Sequence, residues 1–260
     1  MDIPLFQVDA FATKLFEGNP AAVCPLEEWL PDELLQKIAL ENNLSETAFF
    51  VQTNHLITIR WFTPTTEVEL CGHATLAAAH VLSKHLGFQG DVIEFDSLSG
   101  RLSVQVNEED YTLNFPADQI TPLPADHPVV SYFDLKPQSV FKGKSDFLLA
   151  YRLENEVRQI KVDIGRLANF EGRGVIVTSP SEKFDFISRC FYPQSGVNED
   201  PATGSAHTTL AVYWTSQLGK SHFSARQVSK RGGSFDIQLE GDRVFITGKA
   251  YTFLTGNCRL

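Results

Sequence analysis

The sequence predicts an α+β protein made of two copies of one domain, each with several strands around a single apolar helix. Three observations carry that expectation. Short apolar or alternating runs bounded by Gly, Pro and Asn recur along the chain, as strands do. The segment Gly72 to Leu82 has almost no polar face and therefore belongs inside its domain. The chain also repeats itself: Arg60-Trp61-Phe62-Thr63-Pro64 matches Arg189-Cys190-Phe191-Tyr192-Pro193 at an offset of 129 residues. Gly72-His73-Ala74 matches Gly204-Ser205-Ala206 at 132, and the run from Gly100 to Val106 matches Gly233 to Leu239 at 133. A period this long marks duplicated domains, because solenoid units run to about 20–50 residues. The expected domains are residues 1–117 and 118–260, with 251–260 lying past the repeat and free to return to the first.

Taken in order, Phe6 to Phe11 and Ala21 to Cys24 read as strands separated by the turn-prone Glu17-Gly18-Asn19-Pro20. Pro31 opens a helix whose Leu34, Leu35, Ile38 and Ala39 recur at helical spacing, and Asn42-Asn43 end it. Strands follow at Ala48 to Val51 and Leu56 to Phe62, then the apolar helix to about Gly87. Val92 to Phe95, Arg101 to Val106 and Tyr111 to Phe115 are strand-like. Residues 118–140, rich in Pro, read as a connection with one short helix. Asp146 to Leu153 reads as a strand and Val162 to Leu167 as a second short helix. Val175 to Thr178 and Phe184 to Phe191 are further strands.

Composition narrows the function. At 260 residues with 43% hydrophobic content and 20 Phe, the chain can build a core, which excludes disorder. A net charge of −10 argues against nucleic acid or an anionic membrane as partner. An anionic small substrate would have to be held by local groups. The N-terminus lacks the pattern of a signal peptide, and no apolar run approaches the roughly 18 residues of a membrane span. Cys24, Cys71, Cys190 and Cys258 are scattered, as expected of thiols in a reducing cytoplasm.

Chemistry concentrates at the mouths of the two repeated helices. In Glu69-Leu70-Cys71-Gly72-His73-Ala74-Thr75, Gly72 lets a ligand approach the backbone, the first turn offers N–H groups to an anion, and His73 can orient or protonate what binds. Read by itself, His73 is equally a capping or hydrogen-bonded histidine. The second mouth, Asn198 to His207, holds Glu199, Asp200, Thr203, Gly204 and Ser205 in register with the first. Two matching donor sets can clamp one substrate, and by symmetry the mouths are expected to face each other across a domain interface. Glu46 lies in Asn43-Leu44-Ser45-Glu46-Thr47, a loop running into an apolar strand. Such surroundings destabilise a carboxylate's charge and make it a usable acid or base, although an exposed turn Glu fits the local sequence as well. Cys71 reads as a pocket-wall residue, since its symmetry mate is Thr203 and a pair of opposed thiols is missing. No metal-ligand spacing such as H-E-x-x-H occurs, so no metal is expected. Glu171-Gly172-Arg173-Gly174 leads into a strand and is therefore not a dinucleotide fingerprint.

Asn43 to Thr47, Leu70 to Thr75 and Glu199 to Ala206 together resemble the phenazine-biosynthesis (PhzF-like) isomerase family of the diaminopimelate epimerase fold superfamily. The resemblance runs nearly end to end. It implies two pseudo-symmetric domains, each a β-barrel-like sheet wrapped around a central helix, with the active site between them, a homodimer and no cofactor. It also implies that Glu46 is the acid/base that moves a proton between carbons, assisted by His73, Asp200 and Ser205. The expected function is therefore a cofactor-independent isomerase acting on a small carboxylate-bearing, amino-acid-like or cyclic molecule. Glu46, His73 and Asp200 are its expected catalytic groups, and Ser45, Gly72, Gly204 and Ser205 its expected substrate-binding groups. The alternatives are an amino-acid racemase or epimerase, with Asp200 as the second base, and a non-catalytic binding protein that kept the pocket.

Overall fold

The computed structural model describes residues 2–53 and 56–260. Packing divides the chain into two compact units, Met1–Asn114 with Thr247–Leu260, and Phe115–Ile246. The chain runs through β1 (Asp2–Ala10), β2 (Asn19–Leu26), α1 (Asp32–Asn42), β3 (Glu46–Thr53), β4 (Leu56–Phe62), β5 (Glu67–Val68), α2 (Gly72–His85), β6 (Val92–Ser97), β7 (Gly100–Asn107) and β8 (Asp110–Pro116). It continues with β9 (Thr121–Leu123), β10 (Ser139–Lys142), β11 (Asp146–Ala150), α3 (Glu154–Gln159), α4 (Ile164–Leu167), β12 (Gly174–Pro180), β13 (Phe186–Tyr192) and β14 (Val197–Asp200). The last elements are α5 (Ala206–Leu218), β15 (His222–Gln227), β16 (Gly233–Glu240) and β17 (Arg243–Arg259). Short 3-10 helices occupy Pro128–Tyr132 and Pro193–Ser195.

Eight strands close a barrel in the first unit. In ring order they are β1, β2, β3, β4, β6, β7, β8 and β17, and β17 pairs with both β8 and β1. The β2–β3 and β4–β6 pairs are parallel, as crossovers through α1 and α2 require. Inside the ring lies α2, buried from Gly72 through Leu82. Eight strands ordinarily leave room only for side chains, and Ala74 with the run Ala77-Ala78-Ala79 keeps this helix thin. Deep in this helix His80 is satisfied: Nδ1 lies 3.1 Å from the Tyr111 hydroxyl and Nε2 2.8 Å from Thr252 Oγ1. On the outer face α1 packs Leu35, Ile38 and Ala39 against Ile3, Cys24, Phe49 and Phe62.

The second unit repeats this alternation of parallel and antiparallel strand pairs around a buried helix. β10 pairs with β11, β11 with β12 in parallel, β12 with β13, β13 with β15 in parallel, and β15 with β16. Its buried helix is α5, while α3, α4 and the first 3-10 turn contribute Val157, Leu167 and Val129 to a core with Val175, Val177 and Phe191. The repeat extends to side chains. Arg60 grips Glu67 with Nε–Oε1 2.6 Å and Nη2–Oε2 2.7 Å, and Arg189 grips Glu199 with the same atoms at 2.7 and 3.0 Å. In each copy this fork ties the strand before the helix to the short strand that leads into it.

Some local expectations shift. The strand expected to run to Leu153 ends at Ala150, and α3 starts at Glu154, capped by Glu156 Oε2 accepting the Leu153 N–H at 2.8 Å. The region 118–140 contains β9 as well as its helical turn. Residues 197–200, at the second mouth, form the short strand β14. Among the described residues no helix is long and apolar enough to cross a membrane.

Candidate active site

In the first unit the site grows from two chain junctions. Asn43 ends α1 in the left-handed region (φ 49°), a conformation Asn tolerates, and its N–H bonds Ala39 O. Asn42 Nδ2 then reaches Thr47 Oγ1 at 3.1 Å, which holds the loop and places Glu46 as the first residue of β3, opposite Ala21 of β2. At the second junction Cys71 is extended (φ −142°, ψ 109°) and caps α2. Its carbonyl accepts the Thr75 N–H at 3.1 Å and the Thr75 hydroxyl at 2.6 Å. His73 therefore projects from the first turn of a helix enclosed by the barrel.

These junctions bring Glu46 and His73 together, with His73 Nε2 3.2 Å from Glu46 Oε2. On the other ring nitrogen, Asn19 Nδ2 lies 3.3 Å and Cys71 Sγ 3.5 Å from His73 Nδ1. With the Asn19 amide N–H donating to it, Nδ1 accepts and the ring proton sits on Nε2. Burial pushes the His73 pKa down to about 3, so the ring is neutral at ordinary pH. Its 3.2 Å approach to Glu46 is therefore a polar contact, neither an ion pair nor an aligned hydrogen bond. Glu46 keeps 18% of its side chain exposed where His73 keeps 6%, so the carboxylate is the group a ligand can reach. Ser45 precedes it, half-buried, and its hydroxyl has no hydrogen-bond partner among the described residues.

Glu46, Cys71 and His73 offer ligand atoms within 4.8 Å of one another, a set that could hold a metal ion. As oriented, however, the imidazole shows one nitrogen to Cys71 and the other to Glu46. One ion could take both neighbours only after the ring rotated, which fits a proton-handling pair better than a metal centre.

The mouth in the second unit is organised around Asp200, the last residue of β14 and largely buried. The Thr203 hydroxyl donates to Asp200 Oδ2. Gln227, fully buried at the end of β15, donates to Asp200 O at 2.7 Å and accepts the Thr203 N–H at 2.9 Å. His207 Nδ1 donates to Thr203 O at 2.8 Å, and its ring stacks on Phe235 at 3.7 Å between centroids. Burial lowers the His207 pKa to about 4, against the opposing effect of that carbonyl. Gly204 and Ser205 accept the His207 and Thr208 N–H groups at 3.0 and 3.2 Å, so this mouth opens as a tight i→i+3 turn before α5. Ser205 Oγ meets Arg173 Nη2 at 3.3 Å.

Of the expected site residues, Ser45, Glu46, Gly72 and His73 meet in the first unit, and Asp200, Gly204 and Ser205 in the second. Glu199 leaves the set, because its carboxylate is committed to Arg189. Asn19, Gln227 and Arg173 were missed. Asn19 hides in what reads as a turn, and Gln227 belongs to no motif. Arg173 was visible only as the cation between two glycines.

Known proteins carry the same architecture. Residues 8–256 match the family model described as phenazine biosynthesis-like protein. An uncharacterized isomerase of Pseudomonas aeruginosa is 46% identical over 260 residues, covering all of both chains. The crystal structure of a PhzF-family phenazine biosynthesis protein from Enterococcus faecalis superposes with a TM-score of 0.96 at 42% identity, again over all of both chains. A probable proline racemase from Agrobacterium radiobacter shares the fold at 13% identity, with a TM-score of 0.67 over 99% of this chain and 93% of that one. Together these place the chain in the phenazine biosynthesis-like (PhzC-PhzF) isomerase family.

Proposed function

We propose that this isomerase works without a cofactor and moves a proton between carbons of a small carboxylate-bearing, amino-acid-like or cyclic substrate. Glu46 is its acid/base. The observation that carries this is the Glu46–His73 pair: a reachable carboxylate 3.2 Å from a buried, neutral imidazole. Ionised Glu46 takes a proton from a carbon made acidic by a neighbouring carboxylate or unsaturated group. The C–H bond breaks, an O–H bond forms, and the electron pair spreads into that neighbouring group. Glu46 then returns the proton to a different carbon. Turned into line, the His73 N–H would steady the carboxylate when it is charged, which favours the base form before the transfer and the proton's release after it. First-turn N–H groups at Gly72 and His73, with the Ser45 hydroxyl, would bind negative charge as it develops, a contribution of about 3–4 kcal/mol for a well-aimed donor. Asp200 is assigned to proton relay, and Gly204 and Ser205 to substrate binding.

A racemase reading needs a second base, and the buried Asp200 carboxylate is the group that favours it. The two readings part on stereochemistry: inversion at the labelled carbon marks a racemase, and a shifted double bond marks the isomerisation. The test is a metabolite screen in deuterated buffer that scores carbon-bound deuterium by mass spectrometry, with Glu46→Gln as the blank. Deuterium uptake that survives in the blank would remove Glu46 from this role.

A further inference from the structure

The strand register of the two copies shows what stands in the second unit where the first has its base. In the first, Ala21 of β2 lies opposite Glu46, the opening residue of β3. In the second, Asp146 of β11 lies opposite Gly174, the opening residue of β12. Gly174 therefore occupies the position of Glu46, and Arg173 that of Ser45. Each copy also joins this strand opening to its helix mouth, through Glu46 and His73 in one and through Arg173 and Ser205 in the other.

The chain is built to present Arg173. Gly172 adopts φ +139°, which side-chain-bearing residues avoid, and a Cβ on Gly174 would lie 2.1 Å from the Tyr192 ring. Asp146, only 2% exposed, anchors one edge of the guanidinium: Nε donates to Oδ1 at 2.8 Å and Nη2 to Oδ2. Tyr192 lies beneath, with the guanidinium carbon 5.3 Å from its ring centre, and its hydroxyl reaches Asp146 Oδ2 at 3.4 Å. The other edge is open. Nη1 has no partner among the described residues, Nη2 meets only Ser205 beyond Asp146, and 44% of the Arg173 side chain is exposed. A guanidinium held on its Nε edge still offers its Nη pair as a fork for a second carboxylate. On a chain of net charge −10, an anionic substrate needs such a fixed local cation.

We propose that Arg173, with the Ser205 hydroxyl, binds the carboxylate of the substrate and so sets its specificity for an anionic molecule. This rests on the isomerase reading, and two readouts separate the failures. The first is arginine-selective 1H–15N NMR of the intact protein, with the Arg173 signal assigned by its loss in Arg173→Lys, titrated with benzoate and with uncharged benzamide. Benzoate alone should move the Arg173 signal, and no movement with benzoate overturns the proposal. The second is deuterium exchange on carboxylate substrates found in the screen. Arg173→Gln alone would strand the buried Asp146 carboxylate, so Arg173→Lys and the double variant Arg173→Gln/Asp146→Asn are used. Both should lose about 30-fold or more in kcat/KM, chiefly through KM, as expected when a paired charge is truncated. Wild-type KM in both variants, with Glu46→Gln still inactive, would overturn the proposal and leave the isomerase standing. Benzoate binding at Arg173 without deuterium uptake from any carboxylate would uphold the anion site and overturn the isomerase reading.

Discussion

Three buried histidines make the fold sensitive to mild acid in a pH window that carboxylates do not share. Burial lowers His73 from 6.5 to about 3, and His80 and His207 to about 4. For His80 the neighbouring His85 and Lys84 add to the effect. Below pH 6.5 the unfolded chain takes up these protons and the folded chain does not, so stability is lost as pH falls from 6.5 toward 4. Each histidine contributes about 1.4 kcal/mol per pH unit, or about 2 kcal/mol between pH 6.5 and 5. His207→Asn isolates one of the three, because Asn keeps an N–H where Nδ1 donates to Thr203 O but carries no ionisable ring. Losing the ring stacked on Phe235 should cost about 2–4 kcal/mol at pH 7.5. The variant's further loss on going to pH 5 should be smaller than that of the wild type by about 2 kcal/mol. Urea titrations followed by fluorescence at a series of pH values between those limits measure both quantities. Equal wild-type stability at pH 7.5 and 5, or a variant whose loss parallels the wild type, would refute the linkage.

Other consequences concern the site and its frame. Cys71→Ser should keep deuterium exchange within about tenfold of wild type, whereas loss of a group that itself transfers the proton costs about 10²–10⁴-fold. A rate collapse in Cys71→Ser would move the proton chemistry onto the thiol. Arg189→Gln should lower stability by about 2–3 kcal/mol because it leaves the Glu199 carboxylate partly buried and unpaired. Adding Glu199→Gln should recover part of that loss in the same urea assay, the remainder being the bonds that Arg189 Nη1 donates to Val157 O and Ile160 O.

The parts of the fold that could be read in advance are those written in short-range pattern. The Ala-rich run of α2 has no polar face because strands surround it, and the duplicated Arg60 and Arg189 marked the repeat before their ion pairs were seen. Other parts depend on partners far along the chain. β14 is polar in sequence and owes its place to Arg189 gripping Glu199, so no apolar alternation announces it. α3 is six residues long, too short for a helical period to register. Asn19 matters because His73 is folded against it 54 residues later, and Gln227 because Thr203 lies 24 residues earlier. Amides carry no signal of such partnerships in the linear chain. Glu46 stands between these cases: its local sequence suits an exposed turn as well as a base, and only the folded chain shows that its carboxylate lies 3.2 Å from His73.

The most direct measurement is carbon-bound deuterium in the substrate after incubation in deuterated water with wild type, Glu46→Asp and Glu46→Gln. With Glu46 as the base, wild type labels a single carbon and Glu46→Asp labels it more slowly. Glu46→Gln should fall by about 10²-fold or more. Labelling by Glu46→Gln at the wild-type rate would contradict the assignment of Glu46 as the group that moves the proton.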